Sequence, residues 1–440
     1  MKLLFISLGC DKNLVDSEQM LGLLEKEGHT FTDDETEAEV IIINTCCFIN
    51  DAKEESINTI LEMAEYRKTG PCRALIVTGC LAQRYSREIT EEIPEVDAVI
   101  GTTAYDALPE ILEKALKGQK EQKLESLNRL VRPKAGRQLT TGGHYAHLKI
   151  AEGCDKHCTY CIIPRIRGPY RSVPMEELLK EAADLAGQGV KELILVAQET
   201  TLYGLDLYGE KRLPALLREL CRIKGLRWIR LQYCYPEEIT KELIQVLQEE
   251  PKLCRYLDLP IQHASDPILK RMGRRTTRAD LEQIIADLRE ALPDICLRTT
   301  LITGFPGETE EDHRELMSFI DTCEFDRLGV FTYSQEEDTP AAQMPGQIDE
   351  EVKENRQAEL MELQQEIAFE KAEAMKGREL EVLIEGRVSG ENAYVGRTYR
   401  DAPDVDGYIF INTEETLMSG DFAKVRVTGA CEYDLIGELI

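Results

Sequence analysis

The sequence predicts a multidomain α/β protein in three parts. These are an N-terminal open parallel α/β sheet domain, a central partial (β/α)6 barrel, and a small antiparallel β domain at the end. Three observations predict it. Up to about residue 115, unbroken apolar runs alternate with amphipathic helical stretches, the pattern of a parallel sheet buried on both faces. From about residue 145 the alternation returns through six further units. After residue 377 it gives way to short alternating runs between glycine-containing turns. The chain has 440 residues, 42% hydrophobic and 30% charged, which is ample for several full cores.

In the first part, residues 1–115, the strand candidates are Leu3–Leu8, Val40–Ile43, Ala74–Thr78 and Ala98–Ile100, with Ser17–Glu27 as an amphipathic helix. Residues 116–140 are polar and locally basic and read as a linker. The second part, residues 141–376, carries strand candidates His147–Ala151, Leu193–Ala197, Trp228–Gln232, Tyr256–Pro260, Cys296–Ile302 and Leu328–Tyr333. Helical patterns such as Met175–Gln188 and Arg278–Ala291 separate them. Asp349–Lys376 is a charged helix without Gly or Pro that leaves the barrel. The last part, residues 377–440, offers the runs Glu381–Ile384, Tyr408–Ile411 and Ala423–Val427.

The charge balance is 53 Lys+Arg against 81 Asp+Glu, net −28. So acidic a chain repels phosphate backbones, which argues against non-specific nucleic-acid binding and against anionic membranes, and suits a basic protein partner. The opening MKLLFISLGCDKN lacks the apolar length and small-residue cleavage site of a secretion signal. No run reaches the roughly 18 apolar residues of a spanning helix. The reading is cytoplasmic, where fourteen cysteines are thiols, metal ligands or catalytic groups rather than disulfides.

Two groups of those cysteines carry chemistry. Cys154, Cys158 and Cys161 follow a strand directly at spacing Cys-x-x-x-Cys-x-x-Cys. Thiolates on one tight loop converge on a soft metal centre. An iron–sulfur cubane takes four ligands, so three cysteines leave one iron open for chemistry. A structural zinc loop is the plainer alternative. Cys10, Cys46 and Cys80 each stand just past the carboxyl end of a separate strand candidate. In an open parallel sheet those ends share an edge where ligands gather, so three thiolates can meet there round a second cluster. Small buried hydrophobes are the alternative. Cys47 adjoins Cys46, and spacing does not choose between them. The other seven cysteines have no ligand spacing.

The loop AEGCDKHCTYC, with Tyr160 before its last cysteine, resembles that of the radical S-adenosylmethionine (SAM) enzymes. In those enzymes the open iron of a [4Fe–4S] cluster chelates SAM, reductive cleavage gives a deoxyadenosyl radical, and the aromatic lies by the adenine. Two three-cysteine sites followed by a small β domain resemble the methylthiotransferases over essentially the whole chain. SLGCDKNLVDSE, INTCCFINDAKEES, VTGCLAQRY, CTYCIIPRIRGPYRS and LPIQHASDPILKRMGR are similar to the ribosomal-protein-modifying (RimO) branch rather than the tRNA-modifying (MiaB) branch. Asp11 is a minor departure from that pattern.

The resemblance implies two [4Fe–4S] clusters, SAM, Cys46 rather than Cys47 as ligand, and an external electron donor such as a flavodoxin or ferredoxin. It implies methylthiolation of the β-carbon of an aspartate on ribosomal small-subunit protein twelve, free or in the subunit. The rivals are tRNA isopentenyl-adenosine methylthiolation and a non-catalytic iron–sulfur scaffold docking on ribosomes. The last part resembles a TRAM module, OB-like and usually RNA-binding. Here it carries 6 Lys+Arg against 13 Asp+Glu, which suits a basic protein. Glu199, after the second barrel strand, is the candidate for the SAM amino group, and Gly304 and Gly307 for the SAM-binding turn. Gln262 and His263 face the same mouth. Lys270, Arg271, Arg274 and Arg275 form a basic cluster with a choice between solvent and substrate or ribosomal RNA.

Overall fold

The protein is described by a computed structural model covering residues 1–133 and 136–440. Residues 134 and 135 of the expected linker lie outside the described residues. The first sheet is six-stranded and parallel: β1 (Lys2–Ser7), β2 (Thr30–Phe31), β3 (Val40–Thr45), β4 (Ala74–Gly79), β5 (Ala98–Ile100) and β6 (Glu121–Lys123), in spatial order β2-β1-β3-β4-β5-β6. β3 and β4 are buried along their whole length, which is why they read as unbroken apolar runs. The strand order reverses direction between β1 and β3, and ligand crevices form at such a point outside the carboxyl ends.

The second sheet takes β7 (Tyr145–Lys149), then, after the two-stranded ribbon β8 (Ala151–Glu152) with β9 (Arg171–Ser172), β10 (Glu192–Val196), β11 (Trp228–Leu231), β12 (Leu253–Asp258), β13 (Cys296–Thr303) and β14 (Arg327–Thr332). Its order β14-β13-β12-β11-β10-β7 is sequential and parallel, the six-unit open barrel expected. Edge strand β14 is covered by helix Glu350–Glu373, whose Gln357 and Gln364 side chains donate to Val330 and Phe325 carbonyls at 2.7 and 2.9 Å. The last part is a closed barrel, β15 (Glu379–Arg387), β16 (Ala393–Thr398), β17 (Ile409–Asn412), β18 (Phe422–Cys431) and β19 (Asp434–Leu439), in order β15-β16-β17-β19-β18.

The stretch 116–140 is more than a linker. It supplies β6, and its arginines are tied down: Arg129 to Asp106, Arg132 to Glu181 at 2.7 Å, and Arg137 to Glu18 and to the His147 carbonyl at 2.6 Å. Buried or half-buried acids on the two flanking units hold what composition alone assigns to solvent.

Both outer units dock on the barrel at opposite ends. The first sheet's carboxyl edge lies across the barrel mouth. Asp16 meets Lys149 beside β7, Tyr233 past β11 donates to Asp11 at 3.1 Å, and Arg84 pairs with Glu336 past β14 at 3.0 Å. The closed barrel seals the floor. Arg397 reaches Glu192 at the start of β10 at 2.7 Å, Tyr256 donates to Asp406 at 2.7 Å, and Arg327 at the start of β14 pairs with Asp401. Leu383 and Ala402 pack there with Trp228, Cys254, Tyr256 and Cys296.

Candidate active site

The loop after β7 is closed by the β8–β9 ribbon, so Cys154, Cys158 and Cys161 stay together. Gly153, at φ +80°, packs against the Pro169 carbonyl and leaves no room for a side chain. Cys154 N donates to Gly168 O at 3.1 Å, Cys161 N to Cys158 O at 3.0 Å, and Thr159 N to Met272 O at 2.9 Å. Burial pushes the Cys154 thiol up to about 12 and raises Cys161, and the neighbouring thiols add to both. Protons held this firmly must be displaced by a cationic centre. Among the described residues no three His, Cys, Asp or Glu converge on a single metal ion. A cubane asks for less, since each thiolate binds a different iron.

Glu199 stands beside this loop, fully buried. Its Oε1 accepts the Thr201 backbone N–H at 2.8 Å, whereas its buried Oε2 has no hydrogen-bond partner. Burial pushes its carboxyl up to about 7. The Lys156 ammonium stands 3.9 Å from Oε2, beyond hydrogen-bond range, so that oxygen can still accept from an incoming ammonium group. Tyr160 packs edge-on against Phe305, centroids 6.5 Å apart. Arg274 lies over Tyr235 with its Nε and Nη1 unpartnered.

The second set sits at the reversal point of the first sheet. Cys10 immediately precedes helix Asp11–Lys26, and Cys80 opens helix Cys80–Arg84, where the positive helix end favours a thiolate. Gly9, at φ +91°, lies so close to Cys46 that an added Cβ would stand 2.9 Å from its Sγ. Cys46 thus faces Cys10, while fully buried Cys47 belongs to the apolar core around Ile43 and Val77. Burial raises Cys46, with Cys10 adding, and pushes Cys80 up to about 12 against the pull of Arg167.

A buried polar bridge joins the two loops. Arg167, six residues past Cys161, donates to Asp16 at 2.6 Å, Asn13 at 2.9 Å and Cys80 Sγ at 3.4 Å, and pairs with Glu152 at 3.3 Å. Lys149 also binds Asp16 and Glu152, and Gln198 ties Glu152 to Gly153 N. Two cations and two carboxylates balance inside the seam, and the spare Arg167 donor is spent on the Cys80 sulfur.

Comparison with known proteins matches the uncharacterized protein family UPF0004 over residues 2–101, the radical SAM superfamily over 148–320 and the TRAM domain over 377–440. The chain is 64% identical over 437 residues, 99% of both chains, to the ribosomal protein uS12 methylthiotransferase RimO of Lachnoclostridium phytofermentans. It is 49% identical to that of Clostridioides difficile over 100% of this chain and 99% of the relative. The chain belongs to the RimO family. Among solved structures, the fold resembles the radical SAM methyltransferase TsrM from Kitasatospora setae, with TM-score 0.56, 16% identity, and 77% and 76% of the two chains covered. As a RimO family member it is an enzyme of the radical SAM methylthiotransferase type.

The remaining candidates of this RimO-family chain divide. Gly304 and Gly307, at φ +71° and +80°, have packing reasons of their own: a side chain at Gly304 would strike Lys353, and one at Gly307 would come 2.7 Å from the Arg271 guanidinium. His263 is fully buried, accepting Ser265 N at 2.9 Å with Nε2 3.7 Å from Glu308. Gln262, at φ +74°, bridges to Leu301. Of the basic cluster, Lys270 and Arg275 are exposed, the Arg271 carbonyl accepts the Thr159 hydroxyl of the thiol loop at 2.8 Å, and the Arg274 side chain lies by Cys158. Asn13, Asp16, Lys149, Glu152, Arg167 and Gln198 escaped the sequence reading. Their signal was weak but present: Asp16 and Arg167 each stand six residues past a candidate ligand.

Proposed function

We propose that the chain transfers a methylthio group to the β-carbon of an aspartate of ribosomal protein uS12, in the cytoplasm, with SAM, two [4Fe–4S] clusters and an external donor such as a flavodoxin or ferredoxin. Cys154, Cys158 and Cys161 would hold one cluster, and Cys10, Cys46 and Cys80 the other. What supports this most is the Arg167 bridge, which ties the three-thiol loop after β7 to Cys80, one of three thiols gathered from separate strand ends at the carboxyl edge of the first sheet. When bound there, the cofactors supply a radical able to take hydrogen from an unactivated carbon, and sulfur for the vacated position.

The protein's own residues bind, orient and exclude water. Glu199 offers the free Oε2 to an ammonium, with Thr201 fixing the other oxygen. Arg274 offers two buried N–H groups to an anion. Tyr160 and Phe305 wall the thiol loop, and the Arg167 bridge closes the seam behind it. The test is anaerobic loading with iron and sulfide, reduction in the presence of SAM and uS12, and mass analysis of uS12. The expected result is a gain of one methylthio group on the target aspartate. Replacing Cys154, Cys158 or Cys161 by Ala should abolish deoxyadenosine formation. Replacing Cys10, Cys46 or Cys80 should spare it and stop sulfur insertion. Methylthiolation by Cys80→Ala would refute the second site, and modification of a tRNA instead of uS12 would refute the substrate.

A further inference from the structure

Buried positive charge is costly unless a negative group answers it. Nine Lys or Arg side chains among the described residues are buried. Seven have a carboxylate within 4.0 Å. Among the described residues the two without one are Lys12 and Arg274, and each rests on a tyrosine of the same loop. Lys12 Nζ lies 3.2 Å from the Tyr233 ring centroid, and the Arg274 guanidinium carbon 4.4 Å from that of Tyr235. A desolvated cation–π contact falls short of a full ion pair. Arg274 keeps company with Tyr160 and Cys158 at the barrel loop. Lys12 faces the other way, between Cys10 and Tyr233, and the nearby Asp11 carboxylate is engaged by the Tyr233 hydroxyl.

The platform beneath Lys12 is held under strain. Tyr233 has φ +59°, a left-handed conformation unfavourable for a residue with a side chain. Its N–H donates to Asp258 Oδ2 at 3.0 Å and its carbonyl accepts Thr200 N at 3.1 Å, which lock that shape. The lock aims the ring under the ammonium, beside Cys10.

We propose that Lys12, held on Tyr233, anchors the carboxylate of the acidic side chain to be modified, and so selects a carboxylate-bearing substrate. The inference rests on the aspartate reading above and deepens it. A carboxylate reaching Lys12 completes the ion pair that it lacks. An amide or a neutral base leaves the ammonium with the tyrosine face alone, which is how a polar site rejects a near-isostere.

A double-mutant cycle tests it, using the full chain loaded anaerobically, with binding of purified uS12 measured by calorimetry without SAM. Changing the target aspartate of uS12 to Asn should weaken binding to the wild type by roughly thirtyfold, as loss of a buried charge partner does. The same change should alter binding to Lys12→Met by less than about twofold, the range in which distant sites simply add. Lys12→Arg, keeping the charge, should keep much of the discrimination, and iron content equal to wild type shows that each variant is folded and loaded. Equal discrimination by wild type and Lys12→Met overturns the proposal, as does Lys12→Met losing iron at the Cys10 site, which would make Lys12 a cluster residue. A wild type that methylthiolates uS12 while Lys12→Met discriminates undiminished condemns Lys12 alone. A wild type that neither distinguishes Asn from Asp nor modifies uS12 overturns the aspartate reading as well.

Discussion

Arg167 is the residue on which both halves of the site lean. It is 2% exposed and spends its guanidinium on four partners from both units: Asp16, Asn13, Glu152 and Cys80. Removing one member of a buried charge network leaves the others unanswered, at about 3–5 kcal/mol. Arg167→Met should therefore lower the melting temperature clearly. Arg167→Lys should recover little, because an ammonium cannot reproduce the planar fork. Thermal melts of the two variants check this, and indistinguishable melting of Arg167→Met and wild type would remove the network from any structural role. Glu199 makes the contrasting prediction. Its Oε2 accepts no hydrogen bond and has only the Lys156 ammonium at 3.9 Å, so Glu199→Gln should leave iron content intact and weaken SAM binding, measured by equilibrium dialysis.

Turns and strands explain what could and could not be read in advance. The six barrel strands and the first sheet's inner strands were legible because continuous burial writes itself as apolar runs such as Val40–Thr45. The edge strand β6, Glu-Gln-Lys, was invisible, since an edge position only half covered needs no apolar residue. The strand ends suggested the two cysteine groups that are proposed as sites; nothing in the sequence suggested the Arg167 bridge, because Asp16, Lys149 and Arg167 become neighbours only when two units dock. Gly9 shows how tightly the turn after β1 is drawn. With φ +91° and an added Cβ only 2.7 Å from Cys46 Cβ, Gly9→Ala must move one of the two ligand loops. The left-handed backbone alone costs about 1–2 kcal/mol. The expected outcome is loss of the iron held at Cys10, Cys46 and Cys80 with the barrel loop still loaded, read by iron analysis. Full loading would show that the turn yields.

At the scale of the whole molecule, the closed barrel is bolted to the floor by buried charge. Burial pushes Glu192 up, but Arg397 and Arg230 outweigh it and hold its carboxyl at about 2. A carboxyl depressed from an unfolded value of 4.5 stabilises the docked state above that pH, and the contribution is lost as pH falls from there towards 2. Acid titration of wild type and Glu192→Gln should show a steeper loss of stability in that window for the wild type; parallel curves would contradict the assignment. The joint consumes charge of both signs from the last part: Arg397 and Arg400 meet Glu192 and Asp326, while Asp401, Asp406 and Glu385 meet Arg327, Arg298 and His144, so its outward face keeps an acidic excess. The joint also fixes where that face can be. It lies a full strand length, about 20 Å, behind the rim where the cysteines gather. A guest held by this acidic heel while offering a side chain at the opposite rim must wrap the flank of the enzyme. A short peptide fits only one of these stations, whereas an assembled particle with broad basic surfaces can occupy both at once.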